Sequence, residues 1–374
     1  MAIYLDVSAA VHGRAGLGRY AANLARALSN IAADRLALFY NRSGEMHLLV
    51  GLEHLPARSV HAGYKPWRMA VWLGQLARVG FNCLVPDAEL FHATEHLLMP
   101  LRGVSTVLTV HDLIFHLFPE HHKPLNYWYL NLALPLYCQR ATAIIAVSEA
   151  TRRDLVRCWG LDPARITVVH EAADPRFRPA SPESIATVRQ RYGLPPRFLV
   201  TVGVIEPRKN LARLLDALAI LRRDEDVHLV IVGGKGWLTS EFFRKLEAFP
   251  HRRAVTLTGY VPDEDLPAVY SAATLCVQPS LYEGFGLPLL EAMACGVPLV
   301  CSQASSFPEI GGDAARYFAP TDAEDMAETI RSVWHDEALR AEMRTRGLAQ
   351  AARFSWARAA RETMAVYERV LSAD

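Results

Sequence analysis

Three groups of residues in this chain combine side-chain types and spacings that could do chemistry. The stretch at 283–300, EGFGLPLLEAMACGVPLV, sets Glu283 and Glu291 on either side of two glycines and a proline. Pro288 has the fixed φ of a first-turn helical residue and needs no N–H there. Leu289, Leu290, Ala292, Met293 and Ala294 favour helix, and Gly296 with Pro298 stops it. Gly284, Phe285, Gly286 and Leu287 are therefore predicted to form the loop that enters a short helix. The unpaired N–H groups and dipole of such a helix start favour anionic or oxygen-rich ligands. Glu283 would face one part of the ligand, and Glu291, about one turn into the helix, another. A solvent-facing pair of dipole-compensating acids is the plain alternative. The glycines favour a ligand, because they permit close backbone approach.

The second group lies in TVGVIEPRKNL, where Arg208 and Lys209 follow a strand-like run. Arginine can bind two phosphate oxygens at once and lysine acts as a point charge. An ordinary basic helix start is the alternative, but cations oppose the dipole there, and an anion nearby would remove the conflict. The third group is TVHDL, with His111 and Asp112 where a strand ends. Open α/β sheets bind ligands at the carboxyl ends of their strands. HGRAGLGRY, with Gly16 and Gly18, reads as a flexible loop opening the first long helix.

The elements that position these residues are strand-like runs alternating with helical periodicity. IYLDV, LALFY, ELFHA, TVLTVHD, AIIAVS and RITVVHE are predicted strands of the first half. ADPRFRPASPES reads as a linker. RFLVTVG, VHLVIVG, AVTLTG, TLCVQPS, VPLVCS and ARYFA restart the pattern. Two βαβ series predict an α/β protein with two doubly wound Rossmann-like domains and a default ligand site in the cleft between them. The expected boundaries are 1–173, 174–354 and a C-terminal helix at 355–374. That last segment, FSWARAARETMAVYERVL, is amphipathic and needs a surface to cover, with Trp356, Met364, Tyr367 and Leu371 facing it.

Composition bounds the partners. A chain of 374 residues, 51% hydrophobic and 21% charged, is a packed globular protein. A formal net charge of +1 gives no electrostatic case for nucleic acid. The start, MAIYLDVSAA, lacks a basic leader, no apolar run approaches the roughly 18 residues of a membrane span, and the cysteines are scattered; a cytoplasmic protein is expected. YKPWRMAVWLGQLARVGF at 64–81 suits either a peripheral membrane contact, through Trp67, Trp72 and Phe81, or a buried helix of the first domain.

Three motifs are set aside. GLGRYA matches the dinucleotide pattern G-x-G-x-x-A but stands too far from its strand. HATEH matches H-x-x-E-H, whose two histidines must share a helical face, whereas these run off a strand toward Pro100. The sequence DED occurs at 224–226 and 263–265. The second follows Pro262 and reads as the acids of a helix's first turn, not as a metal cage.

At this point the sequence resembles a family. EGFGLPLLE looks like the E-x7-E signature of the family 4 retaining glycosyltransferases, which have the two-Rossmann GT-B fold. VGVIEPRKNL, GYVPDEDLPAVYSAA and AIIAVSEATRRDL resemble its mannosyltransferase-like subgroup, over nearly the whole chain and most closely at about 200–312. The resemblance implies a hexosyltransferase that moves a hexose, first of all mannose from GDP-mannose, to a glycan or lipid-linked glycan hydroxyl. A UDP-hexose donor is the alternative. It implies Glu283 at the donor sugar's hydroxyls, with N–H groups of Gly284, Phe285 and Gly286 holding the sugar, and Leu287 and Val261 in the donor site. Glu291 would bind the ribose, and Arg208 and Lys209 would neutralise the departing pyrophosphate. His111 would lie at the reacting face, and Gly16 and Gly18 would let a loop close on the phosphates. The final helix would cross back to the first domain, and neither cofactor nor metal is expected. One departure is Val204, where many members carry arginine; Arg208 could serve instead. The competing classes are a non-catalytic sugar-nucleotide-binding subunit and a zinc hydrolase built on His92 and His96.

Overall fold

Strands buried on both faces read as continuous apolar runs and pair in parallel, and both sheets here do so throughout. The computed structural model describes residues 2–44, 46–47 and 49–372. The chain divides into two units, Met1–Glu171 with Ser355–Asp374, and Ala172–Phe354.

The first unit holds β1 (Ala2–Asp6), β2 (Leu36–Arg42), β3 (Ala57–His61), β4 (Ala88–Ala93), β5 (Ser105–Val110), β6 (Ala143–Ala146) and β7 (Ile166–Val168). Their order in the sheet is β3-β2-β1-β4-β5-β6-β7. The order reverses between β1 and β4, which makes that junction a topological switch point. The edge strand β3 lies outside the predicted set: ARSVH has no apolar run and is mostly exposed. The long helix Ala15–Ala32 begins earlier than expected and contains both Gly16 and Gly18. A Cβ on Gly18 would stand 2.8 Å from the carbonyl oxygen of Ala9. Gly18 is therefore buried for close packing, and neither glycine belongs to a flexible loop.

The helix Trp356–Leu371 belongs to this unit. Its buried face is Trp356, Ala359, Ala360, Thr363, Val366, Tyr367 and Val370, while Met364 and Leu371 are half-buried. Tyr367 bonds Nδ1 of His92 at 2.6 Å, and the other ring nitrogen of His92 meets the Thr109 hydroxyl at 2.7 Å. The Tyr20 hydroxyl shares Thr109 at 3.0 Å. Burial lowers His92 to about 3, so the ring is neutral. With both nitrogens taken, His92 cannot ligate zinc, and the hydrolase alternative falls.

The second unit holds β8 (Leu199–Val202), β9 (Leu229–Val232), β10 (Val255–Gly259), β11 (Leu275–Gln278), β12 (Leu299–Ser302) and β13 (Ala315–Phe318). They are ordered β10-β9-β8-β11-β12-β13, with the switch point between β8 and β11. Its core is aliphatic: Leu211, Leu214, Leu215 and Leu218 of the helix Leu211–Leu221 pack with Met326, Ile330 and Val333 of the helix Ala323–His335.

Candidate active site

The chain leaves β8 at Gly203 and turns through a short 3-10 segment, Pro207–Lys209. Asn210 ends that turn with φ 55°, a left-handed position that asparagine tolerates. Its side-chain amide donates to the carbonyls of Pro279 and Pro320 at 3.0 and 2.7 Å, which fixes the turn against the loop after β11. The Leu281 N–H donates to the Arg208 carbonyl at 2.9 Å. Two loops, one from each strand of the switch point, are thus joined.

That junction brings Arg208, Lys209 and Glu283 together. Lys209 Nζ lies 2.7 Å from Glu283 Oε1 and Arg208 lies 2.5 Å from Oε2. Ser280 donates to Oε1 at 2.7 Å. Arg208 also pairs with Glu206 at 2.5 Å. Burial pushes Glu283 up, but the two cations and the Ser280 and Lys209 hydrogen bonds outweigh it and hold the carboxyl at about 2. Lys209 has three donors, and Glu283 takes one. Gly203, at φ 153°, lies under the lysine stem: a Cβ there would stand 3.2 Å from Lys209 Cε.

The loop after Glu283 is braced from below. The Ser306 hydroxyl donates to the carbonyls of Glu283 and Phe285 at 3.0 and 2.6 Å, and Ser305 donates to the Glu283 carbonyl. Phe285 is buried edge-on against Phe354. Gly286, at φ 109°, is the N-cap of the helix Leu287–Ala294, so Leu287 opens the helix instead of closing the loop. Glu291 is 2% exposed and accepts from the Tyr270 hydroxyl at 3.0 Å. Val261 is buried after β10. Asp263 and Asp265 precede the helix Leu266–Ala272 instead of lying in its first turn. Asp265 is held by Arg191 and Tyr192, each at 2.6 Å, and Asp263 lies 3.7 Å from Arg176.

In the first unit His111 follows β5. Its Nε2 donates to the Thr94 carbonyl at 2.9 Å and its Nδ1 faces Glu171 at 3.0 Å. Burial lowers the ring's pKa, yet the Glu171 carboxylate and the Thr94 carbonyl raise it above the ordinary histidine value. Both nitrogens face acceptors, which favours the imidazolium. Thr151 donates to the His111 carbonyl at 3.0 Å, and Tyr20 sets its ring edge-on at 4.7 Å. At the β1–β4 switch point Arg14 pairs with Glu95 at 2.5 Å, and burial with the neighbouring Glu95 pushes Asp6 up to about 7. Glu206, Ser280, Asn210 and Glu171 escaped the sequence reading. Ser280, three residues before Glu283, and Asn210, directly after the cation pair, carried the available signal.

Two parallel doubly wound sheets, with paired cations and a carboxylate at one switch point, define an α/β protein of the two-Rossmann kind. Comparisons place it more finely. The family model described as Glycosyl transferases group 1 matches residues 185–350, and that described as Glycosyltransferase Family 4 matches 14–177. The O-antigen chain mannosyltransferase B of Escherichia coli is 36% identical over 72% of this chain and 72% of its own length. The serotype-specific mannosyltransferase WbdA of Escherichia coli is 32% identical over 72% of this chain, but that match spans 34% of its length. The chain belongs to the family 4 glycosyltransferases, and it is a hexosyltransferase. Solved structures agree on the GT-B fold: HepE of Anabaena, in complex with UDP and glucose, superposes with TM-score 0.75 at 21% identity, over 98% of this chain and 99% of that one. WaaG, a glycosyltransferase involved in lipopolysaccharide biosynthesis, gives 0.69 at 17%, over 97% and 98%.

Proposed function

We propose that the protein transfers mannose from GDP-mannose to a hydroxyl of a glycan or lipid-linked glycan, with retention of configuration and without a metal ion. The observation that carries this reading is the pairing of Arg208 and Lys209 on Glu283 at the β8–β11 switch point. A departing diphosphate develops charge as the sugar bond breaks, and preorganised cations stabilise it at no reorganisation cost. Glu283 has the depressed pKa of a permanent acceptor for sugar hydroxyls. Glu291, held by Tyr270 in the helix that follows, suits the ribose. The N–H groups of Gly284, Phe285 and Gly286, next to Glu283, suit the hexose. His111, whose protonated form Glu171 and the Thr94 carbonyl favour, suits a substrate oxygen that gains negative charge. Mannose is favoured because both mannosyltransferase relatives carry that activity in their names.

The test is release of nucleotide from GDP-mannose, GDP-fucose, UDP-glucose and UDP-galactose by the purified chain. Turnover with GDP-mannose above all others is expected. A preference for a UDP-hexose would replace the donor assignment, and binding without any turnover would leave a sugar-nucleotide-binding subunit.

A further inference from the structure

Glu283 and Glu291 are held in different ways. Two cations clamp Glu283, whereas Glu291 receives on Oε2 a hydrogen bond from a neutral hydroxyl, that of Tyr270, at 3.0 Å. Both partners are interior to the second unit: Glu291 is 2% exposed and Tyr270 0%. Burial pushes the Tyr270 hydroxyl well above the ordinary tyrosine value and the Glu291 charge adds to this, so the phenol keeps its proton and donates. The Cys276 and Cys295 thiols, within reach of the same charge, are also pushed up by burial and stay neutral. An acceptor in such surroundings is poorly compensated by solvent and depends on the hydroxyls that a ligand brings.

Tyr270 is itself fixed from several sides. It lies on the short helix Leu266–Ala272, and its ring meets Phe177 edge-on at 6.0 Å. The end of that helix is pinned: the Ser271 hydroxyl accepts the Ala180 N–H at 3.0 Å, and Arg189 donates to the Ala272 carbonyl at 3.0 Å. The Tyr270 hydroxyl also stands 3.5 Å from the carbonyl of Pro288, in the first turn of the helix that carries Glu291. The last torsion of a glutamate is otherwise broad. A bond on Oε2 removes that freedom and sets the plane of the carboxylate. A carboxylate offers about four lone-pair sites, so one such bond leaves capacity for further donors. A single ligand hydroxyl can follow a carboxylate that rotates. Two adjacent hydroxyls on one ring edge need its plane to be fixed.

We propose that Tyr270 is a positioning residue that fixes the Glu291 carboxylate for the 2′,3′-diol of a ribonucleotide, and that the pair restricts donors to ribonucleoside diphosphate sugars, against their 2′-deoxyribonucleoside counterparts. The inference rests on the placement of the ribose at Glu291. A deoxyribose keeps the 3′-hydroxyl and brings nothing to the second acceptor site, which is left desolvated and unmet. Sites built to bind a substrate hydroxyl reject the analogue that lacks it for this reason. Tyr270 acts only through Glu291, so its removal should erode the preference for ribose without harming the binding of a deoxyribonucleotide.

The test is calorimetric titration of the full chain with GDP against 2′-deoxy-GDP, and with UDP against 2′-deoxy-UDP. Whichever base binds, the wild type should prefer the ribonucleotide about ten- to a hundredfold, the range of a hydrogen bond to a charged group. Tyr270→Phe should cut that ratio about threefold or more, through the ribonucleotide alone, and should raise KM for the donor by a larger factor than it lowers kcat. Should Tyr270→Phe not fold, Phe177→Leu loosens the same ring, keeps the hydroxyl and should shift the ratio in the same direction. Equal weakening of both nucleotides would show a merely structural tyrosine and overturn the proposal, as would dTDP-glucose binding as well as UDP-glucose. A wild-type preference that Glu291→Gln abolishes and Tyr270→Phe keeps would refute the role of Tyr270 and leave the ribose placement standing. Absence of any preference in the wild type, with Glu291→Gln binding alike, would remove the placement and the proposal together. Binding needs no turnover, so a failure to transfer sugar would refute only the catalytic reading.

Discussion

Removal of Lys209 tests the centre of the site. Lys209→Ala deletes one of two cations that hold Glu283 and leaves Arg208 and Ser280. A hydrogen bond to a charged group is worth about 1.5–3 kcal/mol. If that interaction is made to the departing diphosphate, turnover should fall about ten- to a hundredfold. The same deletion relaxes Glu283. The fall from the ordinary 4.5 to about 2 favours the paired carboxylate by roughly 3 kcal/mol, shared among its partners. Because the folded-state value is depressed, this stabilisation is complete above 4.5 and is lost as pH falls toward 2. The variant should therefore stay folded at pH 7, within the several kcal/mol of a typical domain, and should lose stability on acidification at a higher pH than wild type. Turnover at saturating nucleotide-sugar donor and melting curves between neutral and acidic pH check both halves. Lys209→Arg should recover part of the turnover. Unchanged turnover in Lys209→Ala would refute the phosphate assignment, and collapse of the fold at pH 7 would show a structural role instead.

Glu291→Ala should mainly weaken nucleotide affinity, because ribose is held alike in ground and transition states, whereas Glu283→Ala should depress turnover; the reverse pattern in steady-state kinetics would exchange their roles. EDTA should leave transfer nearly unchanged, since Arg208 and Lys209 can meet the charge of the leaving group; abolition restored by magnesium or manganese would show otherwise. Tyr367→Phe leaves the buried His92 without one partner, and should cost about 1–3 kcal/mol in a urea titration; an unchanged midpoint would make the C-terminal bond incidental.

The central strands of both sheets were legible because parallel strands, buried on both faces, are apolar almost from end to end. The edge strands β7, β10 and β13 keep enough β-branched and aromatic residues to be seen. β3 was not, because an edge strand needs no such run and ARSVH supplies none. Gly16 and Gly18 misled for a related reason: glycine marks flexibility and close packing with the same letter. Only the Ala9 carbonyl, 2.8 Å from a notional Cβ on Gly18, decides for packing. The cations and Glu283 could be placed at strand ends from local signals. Their mutual pairing depends on the β8–β11 adjacency, and on Asn210 reaching Pro279 and Pro320, which no local pattern encodes. The partners of His111 were hidden for the same reason, since Glu171 lies sixty residues away in sequence.

The C-terminal helix illustrates what such long-range partners add. Amphipathicity alone requires only that it cover an apolar surface. The surface it meets is partly polar: Tyr367, His92, Thr109 and Tyr20 form one buried chain of hydrogen bonds, and Trp356 packs 5.9 Å from the Tyr20 ring. Buried polar groups cost stability unless all are partnered, so the chain has little tolerance for a helix displaced by one turn. Tyr20, fixed in this way, presents its ring to the edge of His111. His111 is then oriented from three directions, by Glu171 and Thr94 at its nitrogens and by Tyr20 at its side. The helix thus completes the first unit's core and, through Tyr20, helps to hold the His111 ring at the end of β5, where Glu171 and the Thr94 carbonyl favour its protonated form.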